Sequence, residues 1–181
     1  MKLVDLKKKT LALIEEINPE AENLTDDPDI AAKLPYVINQ ILHELARFKK
    51  LPAHVNREVE KDQVMNLNDS LDNFYQLKLI KGVNYDFLDD LNVKFLEDGE
   101  AVISYYQYPE NITDTTPDTK TLDLPEDILE IAPYGIAADI LKADVSNQYG
   151  SIYANRYREM IQTLDSRYAN TIVEFDGGIN I

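Results

Sequence analysis

The sequence predicts an α+β fold: an antiparallel helical bundle of about four helices, with a small antiparallel β insert between helices 2 and 3. Three observations predict it. Both ends of the chain carry apolar residues at helical spacing, the middle has strand composition broken by Asn, Asp and Gly, and Pro or acid marks the expected helix starts. The expected organisation is a first helical pair over 1–55, a β-rich insert and linker over 56–121, a second pair over 122–170 and an extended tail over 171–181.

The first helix is expected over residues 3–17, with Leu3, Leu6, Leu13, Ile14 and Ile17 inward and Lys7, Lys8, Lys9, Glu15 and Glu16 outward. Asp27 followed by Pro28 reads as an N-cap and first helical position. The second helix then presents Ile30, Leu34, Val37, Ile38, Ile41, Leu42, Leu45 and Phe48, interrupted by Pro35. Arg47, Lys49 and Lys50 crowd its C-terminal end, where the helix dipole favours cations.

In the insert, "FYQLKLIKG" and "LNVKFLEDGEAVISYYQY" read as strands. Asp98-Gly99 is the expected hairpin turn between them, with Val93 and Phe95 on one face before it and Ala101, Ile103 and Tyr105 on one face after it. Alternation sets Tyr105 and Tyr106 on opposite faces, one in the core and one outward. "YDFLDDL" reads as a short helix or turn. "ENITDTTPDTKTLD" is too polar for core and is expected to be a linker. Pro125, Glu126 and Asp127 open the third helix, striped by Ile128, Leu129, Ala132, Ile136, Ile140 and Ala143. The fourth carries Tyr153, Tyr157, Met160, Ile161, Leu164 and Tyr168. The tail "TIVEFDGGINI" is apolar and β-prone with a two-glycine hinge, a pattern that either packs on its own domain or adds a strand to a partner's sheet edge.

Composition excludes several kinds of chemistry. With Cys 0, disulfides, thiolate metal sites and cysteine nucleophiles are out. No apolar run approaches the ~20 residues a membrane span needs. The first residues interleave charge with apolar side chains, so no export signal and a cytoplasmic product are expected. The net charge is −15, and its imbalance is local: residues 1–57 carry 9 basic and 9 acidic side chains, residues 58–181 carry 9 and 24. Such a chain lacks the clustered cations that grip nucleic acid. Trp is absent while Tyr numbers 11, and tyrosine suits surfaces that a partner covers.

Candidate chemistry is sparse. "HELAR" at His43 begins like a zinc-protease motif, but Arg47 stands where the second histidine ligand belongs. Phosphate-cradling glycine loops are missing, and Asp114 and Asp118 do not complete a calcium loop. Asp89-Asp90 is an acid pair in a chain where adjacent acids are common. No catalytic residue, metal ligand or cofactor is assigned, and the chain is expected not to be an enzyme.

The order of segments, with "YYQYP" at Tyr105–Pro109, Leu122–Leu124, "PYGIAADIL" at Pro133–Leu141, the helix around Tyr153 and Tyr157, and the opening "LIEEINPEAENLTDDPDI", resembles the head–tail adaptor (connector) proteins of tailed bacteriophages. The resemblance implies a virion structural protein of the neck, made in the host cytoplasm. It implies a homo-oligomeric ring, dodecameric on the family's pattern, docked on the portal protein and joining it to the next neck, stopper or tail protein. DNA would pass through the lumen without specific binding, and an acidic lumen would repel it over about 8 Å at physiological salt. The tail residues Ile172, Val173, Phe175, Gly177, Gly178, Ile179 and Ile181 would dock on the portal. Tyr106, Tyr108, Tyr153 and Tyr157 would lie at subunit interfaces. The alternative expectation is a small-molecule or peptide binding module, using Tyr75, Tyr105, Tyr106 and Tyr108 as an aromatic platform.

Overall fold

The computed structural model describes residues 1–142 and 148–164. Among these lie five helices and six strands: α1 (Leu3–Leu13), α2 (Pro28–Lys49), β1 (Leu51–Val59), β2 (Val64–Asn66), α3 (Leu67–Ser70), β3 (Phe74–Lys81), β4 (Tyr85–Phe87), β5 (Asn92–Phe95), β6 (Gly99–Gln107), α4 (Glu126–Leu141) and α5 (Gln148–Gln162). The strands make two antiparallel three-stranded sheets, ordered β1-β6-β3 and β2-β5-β4. The protein is therefore α+β, but not a four-helix bundle with a small insert. Its helices are split around a β-rich core that has its own buried residues.

The expected bundle fails because the middle segment holds more strand than its composition advertises. β1 starts at Leu51, directly after α2, ahead of the expected insert boundary near residue 56. Its "HVNREV" is too polar to look like a strand, yet it pairs with β6 from Leu51↔Gln107 to Val59↔Gly99. Asp98-Gly99 is not a hairpin turn. β5 pairs with β2 and β4, while β6 pairs with β1 and β3, so the segment crosses from one sheet to the other. Its acids hold other loops: the Asp98 carboxylate accepts from the Lys61 N–H at 2.6 Å, and Glu97 accepts from the Asn84 N–H at 2.7 Å. The real hairpin is β4–β5. Asp89 closes it by accepting the N–H groups of Leu91 and Asn92, each at 2.8 Å.

The two sheets share one core of Val59, Met65, Leu67, Val93, Phe95, Ala101, Ile103 and Tyr105 with a few neighbours. β6 supplies its inner face through Ala101, Ile103 and Tyr105, as period-2 alternation requires. The helices have a separate core, in which α4 is central and packs on α1, α2 and α5. Buried residues lie almost all round α4, at Ile128, Leu129, Ile131, Ala132, Ile136 and Ala137. A helix apolar on every side belongs inside such a layer.

The helix ends follow local chemistry. Asp27 caps α2, accepting from Asp29 N at 2.8 Å and Ile30 N at 3.2 Å. α1 stops at Leu13 rather than continuing to Ile17. Glu15 takes a left-handed φ of 60°, and its N–H reaches Ala12 O while Glu16 N–H reaches Leu11 O. That is the paired closure of a Schellman cap. On α2 the stripe reads Leu34, Ile38, Ile41, Leu42, Leu45 and Lys49, and Phe48 is 47% exposed. Lys49 turns inward because its ammonium meets Asp127 in the first turn of α4.

The Thr- and Asp-rich segment is not a loose linker. Asn39 of α2 clamps it with both amide atoms, donating to Ile112 O and accepting from Ile112 N at 2.7 Å each. Ile112 and Leu122 are buried in the helical core. The chain's first residues pair with the same strap through Leu3 N–H to Lys120 O and Leu122 N–H to Met1 O. The Lys7 ammonium meets Asp118 at 2.7 Å.

Candidate functional site

The tyrosines singled out in the sequence meet, in part, where the helical unit joins the sheet. β3 carries two irregularities against β6: Tyr75 falls between the partners of Gln107 and Tyr106, and Lys78 between those of Tyr105 and Ser104. A bulge inserts an unpaired residue and re-aims its side chain. Tyr75 so reaches Tyr108, with ring centroids 5.1 Å apart. The Lys78 ammonium lies 6.0 Å from the centre of the Tyr106 ring.

From the helical side, α2 sends His43, Arg47 and its C-cap Lys50. His43 stacks on Tyr108 at 4.7 Å and 15°. Arg47 donates from Nε to the Tyr108 hydroxyl at 3.1 Å, and its guanidinium carbon lies 5.7 Å from the ring centre. Lys50 takes a left-handed φ of 56°, which turns its ammonium to within 5.5 Å of the Tyr106 ring centre. Tyr106 is thus flanked by two cations and Tyr108 by an imidazole, a guanidinium and a second phenol.

Burial pushes the His43 pKa below its ordinary value. A hydrogen bond to the Pro109 backbone pulls it back, the Arg47 charge lowers it further, and the Asn111 side chain raises it. Proline has no N–H, so the imidazole is the donor to that carbonyl. Its Nε2 is buried with no hydrogen-bond partner among the described residues. His43 is thus a neutral ring filling the joint, with Arg47 beside it. A cleft of about 450 Å³ opens below, lined by Leu42, Leu51, Asp72, Tyr108, Lys120 and Asp123 among others.

Tyr105 and Tyr106 lie on opposite faces of the sheet, Tyr105 in the sheet core and Tyr106 on the outer face, but Tyr106 is only 7% exposed there, under its lysines. The four tyrosines of the expected platform do not share a face. Tyr105 is inward, Tyr106 is on the opposite side of the sheet, and only Tyr75 and Tyr108 touch. Tyr153 donates from its hydroxyl to Leu13 O, tying α5 to α1. Tyr157 is 8% exposed and lies against Gly135 of α4, so its apolar surface is covered by its own chain. The docking-tail residues Ile172, Val173, Phe175, Gly177, Gly178, Ile179 and Ile181 lie outside the described residues, as do Ala143 and Tyr168.

Sequence reading missed the cations of the joint. Arg47 and Lys50 look like ordinary helix-end charges, and a bulge that re-aims Lys78 leaves no local mark. Among the described residues no group of three or more His, Asp or Glu stands close enough together to hold a metal ion, and no helix is long and apolar enough to cross a membrane. Comparison with protein-family models gives no match, and comparison with curated proteins gives none either.

Proposed function

We propose that this chain is a structural head–tail adaptor of a tailed phage, assembling as a ring that docks on the portal and carries the next neck or tail protein while DNA passes. The observation that supports it best is the division of one chain into two separately cored units, each with its own exposed apolar surface. On the helical unit Tyr149 is 58% exposed and Ile152 56%. On the sheet unit Phe87 is 57% and Leu88 55% exposed. Apolar side chains displayed on two units suit a protein that is held between neighbours. The acidic surplus of residues 58–181 suits a lumen along which a polyanion slides. The tail from Ile172 to Ile181 belongs to the same proposal as the portal-docking segment.

Mass photometry of the chain with a tailed-phage portal protein from the same genome tests the reading. The expected result is a co-migrating complex whose electron micrographs show a ring stacked on the portal. Separate migration of the two proteins at micromolar concentration rejects it. Removing residues 172–181 is expected to weaken docking while leaving circular dichroism unchanged, and undiminished docking rejects the tail's part.

A further inference from the structure

The outer face of the β1-β6-β3 sheet is basic in an acidic protein. Its residues follow from the register: Pro52, Tyr106 and Gln76 form one row, His54, Ser104 and Leu79 the next, Asn56, Val102 and Lys81 the third. Lys50 and Lys78 stand over Tyr106 in the first row. No carboxylate appears on this face until Glu58 and Glu100 at the far end, where Asn56 Nδ2 donates to Glu100 Oε1 at 2.9 Å. Pro52, His54, Gln76, Lys78, Leu79 and Lys81 are all exposed. Apart from the one-turn α3, the helices pack chiefly on one another, and the C-terminal end of α2 meets this face at Lys50, over Tyr106.

The opposite sign sits on the β4–β5 hairpin. Asp86, Asp89 and Asp90 are exposed there, interleaved with exposed Phe87, Leu88 and Leu91. This hairpin cannot reach the basic face of its own molecule. Its sheet packs against the inner face of β1-β6-β3, sharing the core of Val93, Phe95, Ile103 and Tyr105. The outer face points the other way.

We propose that the basic outer face of the β1-β6-β3 sheet receives the acidic β4–β5 hairpin of a second copy of this chain. Lys50, Lys78 and Lys81 meet Asp86, Asp89 and Asp90, and Phe87 and Leu88 cover the exposed Leu79. Charge complementarity sets the register of such a contact and rejects wrong ones. It matters more than usual here, because two copies each carrying −15 repel unless a local pairing overrides the repulsion. The contact uses different patches on the two copies, so it propagates head to tail and closes as a ring when the rotation permits. It names the subunit contact the adaptor reading calls for, and rests on that reading for its ring geometry while standing on these charges for its existence.

Two full-length variants test it, Lys78→Glu with Lys81→Glu and Asp86→Lys with Asp90→Lys. Wild type is expected to form concentration-dependent oligomers in sedimentation velocity. Each variant alone sets like charges against each other and is expected to lose self-association by at least about a hundredfold. An equal mixture of the two is expected to recover it, because every contact in an alternating assembly is complementary again. A wild type that stays monomeric to millimolar concentration overturns the proposal, as do variants that assemble like wild type or a mixture that does not recover. The absence of cysteine gives a second readout that needs no charge change. Leu79→Cys mixed with Leu91→Cys is expected to form an inter-chain disulfide, and Tyr36→Cys mixed with Leu91→Cys is not; equal cross-linking in both mixtures overturns the contact. Neither experiment contains portal protein, so the contact and the neck assignment can fail separately.

Discussion

Gly135 sits where three helices meet. A Cβ built there would lie 2.7 Å from Tyr157 Cε2 and 3.0 Å from Ile41 Cγ2. Both neighbours are buried, and Tyr157 meets the added carbon with a stiff ring edge, so the helices themselves must shift to relieve the overlap. Gly135→Ala is therefore expected to destabilise the protein by about 1–3 kcal/mol despite the better helix propensity of alanine. A urea-induced unfolding curve measures it, and an unchanged midpoint would show that α4 and α5 separate easily. His43 makes a second residue-scale prediction, on pH. Its folded pKa is lowered, chiefly by burial, so the unfolded chain binds the proton more readily. Stability then falls as pH drops through the ordinary histidine value of about 6.5, and the loss is complete below the folded pKa. Wild type is expected to lose more stability than His43→Asn between pH 7.5 and 5.5. The carboxylates with lowered pKa, Asp62, Asp89 and Glu110, respond at lower pH and do not confuse the comparison.

Among elements, the strap from Pro109 to Leu124 shows how a polar segment acquires a fixed place. Asn39 satisfies both backbone groups of Ile112, and the Ile112 side chain is buried beneath. Asn39→Ala leaves that backbone donor and acceptor without their amide partner. The expected cost is about 2 kcal/mol, at the usual net value for two hydrogen bonds. Limited proteolysis would show it as faster cleavage within residues 110–121, at an unchanged rate elsewhere. This clamp also marks the limit of what sequence discloses. The caps and stripes of α2 and α4 are legible because helical spacing and N-cap chemistry are local, as Asp27 illustrates. The inward face of β6 is legible because alternation is local too. Asn39 is not, since an asparagine on a helix acquires its role from Ile112, 73 residues away. β1 is hidden for a related reason: it has one face on a core and one on solvent, and its polar outer residues dilute the strand signal. The joint is the least legible part, because Tyr75 and Lys78 are placed by bulges that exist only once β3 has paired with β6.

At the scale of the whole molecule, the two hydrophobic cores share no buried residue, and the joint between α2 and the sheet is built from rings and cations. Two adjacent cores unfold together only if the contact between them is worth enough to couple them. Here the coupling falls on Tyr108, which touches His43, Arg47 and Tyr75 at once. Tyr108→Ala removes all three contacts, together with the packing of its ring on the edge of the helical core, and leaves the buried residues of both cores in place. The expected cost is about 2–3 kcal/mol, below the range for a fully buried aromatic because Tyr108 is only partly buried. The change in cooperativity is more telling than its size. Wild type is expected to give one calorimetric transition with matching calorimetric and van't Hoff enthalpies. The variant is expected to give two, with the van't Hoff value falling below the calorimetric one. Arg47→Ala removes one of those contacts and should fall between them. A single unchanged transition in both variants would mean that the strap and the α2–β1 connection couple the units on their own, and that the aromatic joint is free to serve a partner instead.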